Sequence, residues 1–374
     1  MNDTTTSLRS LLSADGELRL TLDDAPIGTP GPEEVVVRVE ATPINPSDLG
    51  ELLGPVDLST LSADTSPGSR LTTGNVPPRL MPFAAARAGR PLSPGLEGAG
   101  TVVCAGENAQ HLIGKVVGAW AGRMYTRYRR LPASEVIPFS DGVAPKHAAA
   151  AFVNPLTALG MVSTMRLEGH TALVHTAAAS NLGQMLNKLC IADDVELVNI
   201  VRSEEQQVFL RSIGAKHVVN STAPDFREHL RAAVSQTGAT LGFDAVGGGP
   251  LASEILGAME AVLSAKFPPT NQYGSTTHKQ VYIYGRLDLS PTSISPGVGM
   301  AWGIGGWLVF HHLKRIGAEA AQELVARVAS EITTTFASSY TREISLEEAL
   351  DPDVIRSYQR KATGEKYLIV PSKN

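Results

Sequence analysis

A row of small side chains between an apolar strand and a helix is the first group of residues that could do chemistry. The strand contains Leu173 and Val174, and the helix opens near Asn181. Small side chains let a backbone approach a pyrophosphate closely, and a helix start directs unpaired N–H groups and a positive dipole end towards it. We therefore predict dinucleotide contacts from Thr176, Ala177, Ala178, Ala179, Ser180, Asn181, Leu182 and Gly183.

This turn departs from the usual GxGxxG pattern. Alanine or serine stands where two glycines are expected, and only Gly183 keeps the position that close packing of helix on strand requires. Alanine-rich turns are also common in α/β proteins that bind nothing. The turn alone therefore leaves a purely structural role open.

An arginine ends the next predicted strand, Val195 to Arg202, about 20 residues beyond the turn. An acidic residue at this place holds the ribose hydroxyls of NAD, whereas an arginine suits the 2′-phosphate of NADP through a bidentate contact. We predict that Arg202 and the adjacent Ser203 bind NADPH. The alternative is a solvated arginine at a strand end.

Strands and helices continue to alternate after Arg202, which predicts a parallel, doubly wound sheet. Two of the later strands end in glycine, at Gly247 to Gly249 and at Gly285. Glycine there permits close approach of a ligand, although a plain turn needs it equally. We predict cofactor contacts from Val246, Gly247, Tyr284 and Gly285.

The composition is that of a soluble globular protein, with 374 residues, 18% charged and 43% hydrophobic residues and a net charge of −5. The length predicts two domains. No excess of lysine and arginine points to nucleic acid, and no run of about 18 apolar residues could span a membrane. Residues 1–9 lack the apolar core of a signal peptide, so the expected location is cytoplasmic.

Two smaller groups of residues have simple expected roles. Cys104 and Cys190 lack motif spacing, which excludes a disulfide framework or a four-cysteine zinc lobe, and both are expected to be buried. Four arginines in an aromatic, strand-like segment are expected to form a solvated face: Arg123, Arg127, Arg129 and Arg130.

The first 150 residues have a different sequence pattern, in which short runs rich in β-branched residues are separated by glycine and proline. This predicts an antiparallel β domain ahead of the parallel one. Within it, Pro55 to Pro94 shows no sustained period and is predicted to be a long loop or a surface excursion.

Three motifs, in the order INPSD (44–48), PGLEGAG (94–100) and NPLTALG (154–160), resemble the medium-chain dehydrogenase/reductase superfamily. The resemblance covers nearly the whole chain, and the small-residue turn looks most like the zinc-independent NADPH:quinone oxidoreductase branch. It implies an α/β protein with a GroES-like antiparallel β domain, residues 1–153 completed by 335–374. A Rossmann doubly wound parallel-sheet domain is implied for 154–334.

The resemblance also implies roles for single residues. Asn45 would face the substrate as a catalytic residue, and Thr157 would act at the nicotinamide end of the cofactor with Asn154 nearby. Lys366 would approach the cofactor, and the protein would be a homodimer. The plain alternatives are a turn residue at Asn45, a helix cap at Thr157 and an exposed lysine at Lys366.

A catalytic zinc is not expected. Zinc-dependent alcohol dehydrogenases of this superfamily carry a histidine ligand where this chain has Leu96, which cannot bind zinc. A cysteine ligand is also absent near Asn45 to Asp48, so three matched ligands cannot be assembled.

Without a metal, the expected reaction is hydride transfer from NADPH to a small-molecule quinone or α,β-unsaturated carbonyl acceptor. The proton donor stays open, with Tyr125 and Tyr128 as candidates on the β domain. One alternative is a 2-enoyl thioester reductase, and another is a non-catalytic NADPH-binding sensor or scaffold.

Three later segments have open roles. Gly299 to Phe310 is predicted to form an aromatic wall, a subunit contact or an apolar core strand. Tyr273, His278 and Lys279 are predicted to reach a ligand or a neighbouring subunit. Residues 345–371 are predicted to form a helix, a glycine turn and a last strand.

Overall fold

The computed structural model describes residues 3–266, 273–360 and 365–373. The chain divides into two compact units, the first made of residues 1–153 with 327–374 and the second of residues 154–326. The chain returns to the first unit at 327, within a helix that runs from Ala318 to Glu331, whereas the resemblance implied 335.

The described residues form seventeen strands. They are β1 (Thr4–Leu12), β2 (Glu17–Pro26), β3 (Glu34–Pro43), β4 (Asp57–Ala63), β5 (Leu71–Asn75), β6 (Gly98–Ala105), β7 (Val116–Ala119), β8 (Tyr128–Pro132), β9 (Val136–Pro138), β10 (Ala172–His175), β11 (Glu196–Val201), β12 (His217–Asn220), β13 (Leu241–Asp244), β14 (Lys279–Ile283), β15 (Trp302–Gly306), β16 (Arg342–Ile344) and β17 (Tyr367–Ile369).

The described residues also form eleven α-helices and a few single 3₁₀ turns. The helices are α1 (Asp48–Leu52), α2 (Met81–Ala84), α3 (Pro145–Ala148), α4 (Val153–Leu167), α5 (Asn181–Ala192), α6 (Glu204–Ser212), α7 (Phe226–Thr237), α8 (Leu251–Ser264), α9 (Val309–Ile316), α10 (Ala318–Glu331) and α11 (Pro352–Gln359).

The first unit contains a four-stranded sheet in the order β1-β2-β5-β4 and a seven-stranded sheet in which β16-β17-β3-β6-β7-β9 run side by side and β8 pairs with β3. Pairing is antiparallel except between β16 and β17. Burial alternates along β1, as the two-residue period of a half-buried strand requires. Its buried Leu8 and Leu12 share one apolar core with Leu18 and Leu20 of β2.

The prediction of a structureless excursion over Pro55 to Pro94 is wrong. The segment contains β4 and β5, which extend the four-stranded sheet through pairing of β5 with β2. Helix α11 anchors it, because the Arg356 guanidinium donates to the carbonyls of Leu58 and Leu61, each at 3.1 Å. Arg356 lies almost 300 positions from Leu58 and Leu61, so no local sequence pattern predicts these contacts.

The second unit is a six-stranded, wholly parallel sheet in the order β12-β11-β10-β13-β14-β15. Strands β10 and β13 are buried along their whole length, which explains their continuous apolar character. The chain first moves outward from β10 to β11 and β12, and then to the other side through β13. Ligands of open α/β sheets bind beside such a switch point.

The segment Gly299 to Phe310 forms edge strand β15 and leads into α9. Trp307 packs edge-on against Phe243, with ring centroids 5.4 Å apart, and its Nε1 donates to the Thr164 hydroxyl at 3.1 Å. Trp307 is therefore a packing residue of the second unit.

Other predicted segments have plain outcomes. Residues 267–272 of the stretch before β14 lie outside the described residues. Lys279 is buried and pairs with Glu260 at 2.6 Å, whereas Tyr273 is exposed. The predicted C-terminal helix and strand are confirmed as α11 and β17, while the glycine turn between them, at 361–364, lies outside the described part.

Cys190 is buried as predicted, and Cys104 is half-buried. In the part of the chain that the structure describes, no helix combines the length and apolar composition needed to cross a bilayer.

Candidate functional site

The carboxyl ends of β10, β11, β13 and β14 lie at one edge of the parallel sheet and carry most of the predicted cofactor residues. Thr176 to Gly183 follow β10, Arg202 and Ser203 follow β11, Val246 and Gly247 follow β13, and Tyr284 and Gly285 follow β14. The structure therefore brings these sequence-predicted residues to one edge of the second unit.

The turn after β10 folds as the small side chains predict. Ala177 has a positive φ of 50°, a left-handed conformation that costs a non-glycine residue roughly 1 kcal/mol or more. Ser180 caps helix α5, since its hydroxyl accepts from the N–H of Gly183 at 3.2 Å. A Cβ on Gly183 would lie only 2.1 Å from the carbonyl oxygen of Ala178, so this position requires glycine.

A buried Thr176–Asp244 pair fixes the turn to the neighbouring strand. The Thr176 hydroxyl donates to Asp244 Oδ1 at 2.7 Å and accepts from the N–H of Ala245 at 2.8 Å. Asp244 also accepts from the N–H groups of Val246 and Gly247, at 2.9 and 3.1 Å. The pair thus holds the loops after β10 and β13 in one arrangement.

The side chain of Arg202 is exposed at the end of β11. Its backbone N–H donates to Gln206 Oε1 at 3.0 Å, but its guanidinium has no hydrogen bond or ion pair within the described residues. Ser203 caps helix α6, because its hydroxyl accepts from the N–H of Gln206 at 3.3 Å. The chain therefore presents an uncompensated cation at this edge of the sheet.

Close backbone contacts within the fold explain why glycine follows β13 and β14. A Cβ on Gly247 would lie 2.6 Å from the carbonyl oxygen of Gly285, and one on Gly285 would lie 2.6 Å from that of Ala245. The adjacent Tyr284 hydroxyl bonds His175 Nε2 at 2.7 Å, and burial lowers the pKa of His175 to about 3. His175 is therefore neutral at physiological pH.

Asn154 lies in the first turn of α4 and is half-buried, whereas Thr157 lies in the second turn and is buried. Their roles at the nicotinamide end stay predictions.

The first unit contains a cluster of buried polar residues around Asn45. The Asn45 amide Nδ2 donates to Glu97 Oε1 at 2.8 Å, and its backbone N–H donates to Asp48 Oδ2 at 2.7 Å. The other Glu97 oxygen accepts from the N–H groups of Phe152 and Val153, both at 2.9 Å. Asn45 is therefore held by two carboxylates, and its backbone carbonyl accepts from the N–H of Asp48 at 3.0 Å, as in a turn. Its catalytic role stays a prediction.

Burial shifts the charges of this cluster. It raises the pKa of Asp48 to about 7 and also raises that of Glu97, where the nearby Lys366 and backbone donors oppose the effect. Burial lowers the pKa of Lys366 to about 8, against the attraction of Glu97 and Asp48. The cluster therefore holds groups that titrate near neutral pH, a frequent property of functional sites.

The alternative of an exposed Lys366 is wrong for its ammonium group. Lys366 Nζ is buried, has no hydrogen-bond partner among the described residues, and lies 5.3 Å from the centroid of the Tyr340 ring. A buried ammonium with unused donors is costly unless an acceptor can reach it. Its predicted contact with the cofactor stays a prediction.

The tyrosine candidates for proton donation differ in their surroundings. Tyr125 is buried, its hydroxyl donates to the Pro43 carbonyl at 3.3 Å, and burial raises its pKa well above the usual value. Tyr128 is half-buried in β8. The raised pKa disfavours release of a proton from Tyr125.

Leu96, at the position compared with a zinc-binding histidine in the sequence analysis, uses its backbone N–H to donate to Asp48 Oδ1 at 2.8 Å. Across residues 3–266, 273–360 and 365–373, no three histidine, cysteine, aspartate or glutamate side chains come close enough to hold a metal ion.

Sequence reasoning missed several functional candidates. Asp244 is the last residue of strand β13, and a carboxylate at the end of an apolar strand is a signal that could have been used. The Asp48 carboxylate lies in the INPSD motif, three residues from Asn45, whereas the link of Asn45 to Glu97 spans 52 positions and has no local signature. Tyr340 lies outside every motif.

Comparisons with known proteins fit a two-unit fold of an antiparallel β unit and a switch-point parallel sheet. Mouse prostaglandin reductase-3 is 28% identical over 200 residues, 53% of this chain and 45% of that protein. The mitochondrial enoyl-acyl-carrier-protein reductase of Caenorhabditis elegans is 26% identical over 196 residues, 50% and 49% of the two chains. The matches thus span about half the length of these relatives.

A solved structure matches over nearly the whole chain. It is a provisionally assigned NADPH:quinone reductase from Mesorhizobium loti, with a TM-score of 0.72, 26% identity and coverage of 99% of both chains. No protein-family model matches the chain. On this fold and these relatives, the chain belongs to the medium-chain dehydrogenase/reductase superfamily.

Proposed function

We propose that this chain is a zinc-independent oxidoreductase that transfers a hydride from NADPH to a quinone or an α,β-unsaturated carbonyl compound. The position of Arg202 carries the proposal. Its exposed guanidinium ends β11, next to the switch point beside β10, and has no ion-pair partner among the described residues. The 2′-phosphate of NADPH supplies a matching anion.

The turn after β10 fits the rest of the cofactor. Ala177 to Gly183 bring small side chains and the start of the twelve-residue helix α5 to the edge where a pyrophosphate would bind. Val246, Gly247, Tyr284 and Gly285 would flank it at the next two strand ends. The bound nicotinamide supplies the hydride, and the protein supplies position and charge.

A conjugated acceptor suits the buried cluster of the first unit. Hydride addition to such an acceptor moves negative charge onto a carbonyl oxygen, which a hydrogen-bond donor can stabilise. Lys366 Nζ has unused donors, and its pKa of about 8 keeps it mostly cationic at neutral pH. Asn45 uses one amide hydrogen on Glu97 and keeps a second for the acceptor.

A second candidate, reduction of a 2-enoyl thioester, is favoured by the similarity to an enoyl-acyl-carrier-protein reductase. It uses the same addition of hydride to a conjugated carbonyl compound. By the same resemblance, some 2-enoyl reductases carry a tyrosine shortly after the INPSD motif, and the absence of one in residues 49–58 counts against this candidate.

Turnover with a panel of acceptors tests the proposal. NADPH oxidation, followed by nicotinamide absorbance, is expected with a quinone or an enone. Lys366→Met should lower kcat/KM by roughly 100-fold, as loss of one oxyanion donor does, while Lys115→Met at an exposed lysine should leave it unchanged. Faster turnover of a crotonyl thioester would favour the second candidate. NADPH binding without turnover of any acceptor would contradict catalysis and favour a sensor.

A further inference from the structure

A cavity of about 390 Å³ in the first unit is lined by four arginines, Arg9, Arg123, Arg129 and Arg130, and by a single carboxylate among the described residues, that of Glu34. The sequence predicted a solvated face for three of these arginines. Arg123 and Arg130 are exposed, but Arg129 is half-buried, as is Arg9. The arginines therefore form one concave, cationic surface.

Neutral acceptors hold most of these guanidinium groups. Arg129 donates to the carbonyls of Gly122 and Arg130, at 3.3 and 2.7 Å. Arg9 donates to the Ser93 hydroxyl. Arg130 donates to the Thr29 carbonyl at 3.0 Å and is the group that reaches Glu34, at 3.5 Å. The side chains are thus fixed in place while most of their charge stays uncompensated.

This arrangement is unfavourable without a counter-ion. The pKa of Arg129 is lowered, first by burial and then by Arg123, with smaller contributions from Arg130 and Arg9, while Glu135 opposes them. Hydroxyl groups of Thr5, Ser7 and Thr126 line the same cavity and bond one another at 2.8 to 2.9 Å. Clustered guanidinium forks beside hydroxyl groups are the donor set that a tetrahedral oxoanion needs.

We propose that this cavity binds a phosphate group, carried by a small organic molecule or present as inorganic phosphate. Several guanidinium groups around one space match a polyvalent phosphate better than a single carboxylate. The cavity volume falls within the range of small-molecule sites and exceeds what a lone phosphate fills. Neither Arg202 nor Lys366 is among the lining residues, so the two proposals can fail independently.

Calorimetric titration with inorganic phosphate and with phenyl phosphate, at constant ionic strength, tests the proposal. One-to-one binding is expected, weakened about tenfold or more in Arg129→Gln and in Arg9→Gln, because each loses a charge-assisted contact. Arg211→Gln, at an exposed arginine of helix α6, should bind phosphate as the wild type does. Tighter binding of phenyl phosphate would identify an organic phosphate as the ligand, and equal affinity would identify phosphate itself.

Three results would overturn the proposal. They are no binding of either probe, binding that survives in both Arg129→Gln and Arg9→Gln, and binding that is lost only in Arg202→Gln. Circular dichroism of each variant separates loss of binding from loss of fold.

Discussion

Asp48 shows how one residue can take on an unusual charge state. It is almost wholly buried, and its two oxygens accept from the N–H groups of Asn45 and Leu96. Burial outweighs these donors and raises its pKa to about 7, with the charge of Glu97 acting in the same direction. The folded protein therefore binds a proton at Asp48 over a pH range where the unfolded chain does not.

The pH dependence of stability should report this proton. An unfolded aspartate titrates near pH 4, so the stability contributed by protonation of Asp48 is fully present below about pH 4 and is lost as pH rises through about 7. The free energy of unfolding of the wild type, minus that of Asp48→Asn, should fall by about 2 to 4 kcal/mol across this range. Urea denaturation at several pH values measures it.

A pH-independent difference, or one that grows with pH, would contradict this account of Asp48. Asp141→Asn, at an exposed aspartate, serves as the control and should change the free energy of unfolding by less than about 0.5 kcal/mol.

At the residue scale, the sequence showed that Asn45 belongs to a motif, but it did not show which groups surround the Asn45 side chain. The motif predicts a functional asparagine and itself contains Asp48, whereas Glu97, the second carboxylate that holds Asn45, comes from a distant part of the chain. Lys366 shows the same limit, because burial of Nζ depends on partners such as Tyr340 that the chain brings together only on folding.

At the scale of elements, the turn after β10 and helix α5 depend on Gly183. This residue lies where the helix passes closest to the preceding turn, and a methyl group there would overlap the Ala178 carbonyl. Helix α8 offers a contrast, since a Cβ on its Gly257 would meet nothing within 4 Å.

Gly183→Ala should destabilise the protein by about 2 kcal/mol or more, because the overlap of the new methyl group with the Ala178 carbonyl pushes helix α5 away from the preceding turn. Gly257→Ala, the matched control, should be neutral or stabilising by up to about 1 kcal/mol, since alanine is the better helix former. Thermal unfolding of both variants measures the difference. Equal stabilities would show that the turn is not tightly packed.

Sequence periodicity worked best for elements that are stabilised locally. The apolar strands β10, β11 and β13 and the capped helix α5 lie where the pattern predicts them. Strands β4 and β5 were missed because their pairing partners, not their own polar and glycine-containing sequences, make them strands. Their anchor, Arg356, comes from the far end of the chain.

At the scale of the whole molecule, the sequence predicted a β-rich unit followed by a parallel-sheet unit, because the motifs of the two units occur in that order along the chain. The resemblance implied that the chain returns to the first unit at 335, whereas the two compact units divide at 327, inside helix α10. The homodimer stays a prediction.

Calorimetric titration with NADPH and NADH tests most directly whether this chain binds a 2′-phosphorylated dinucleotide. The wild type should bind NADPH more tightly than NADH. Arg202→Asp should weaken NADPH binding by roughly 10- to 100-fold and leave NADH binding unchanged or improved, while Arg211→Asp on exposed helix α6 should bind as the wild type does. No binding of NADPH, or equal binding by wild type and Arg202→Asp, would contradict the account.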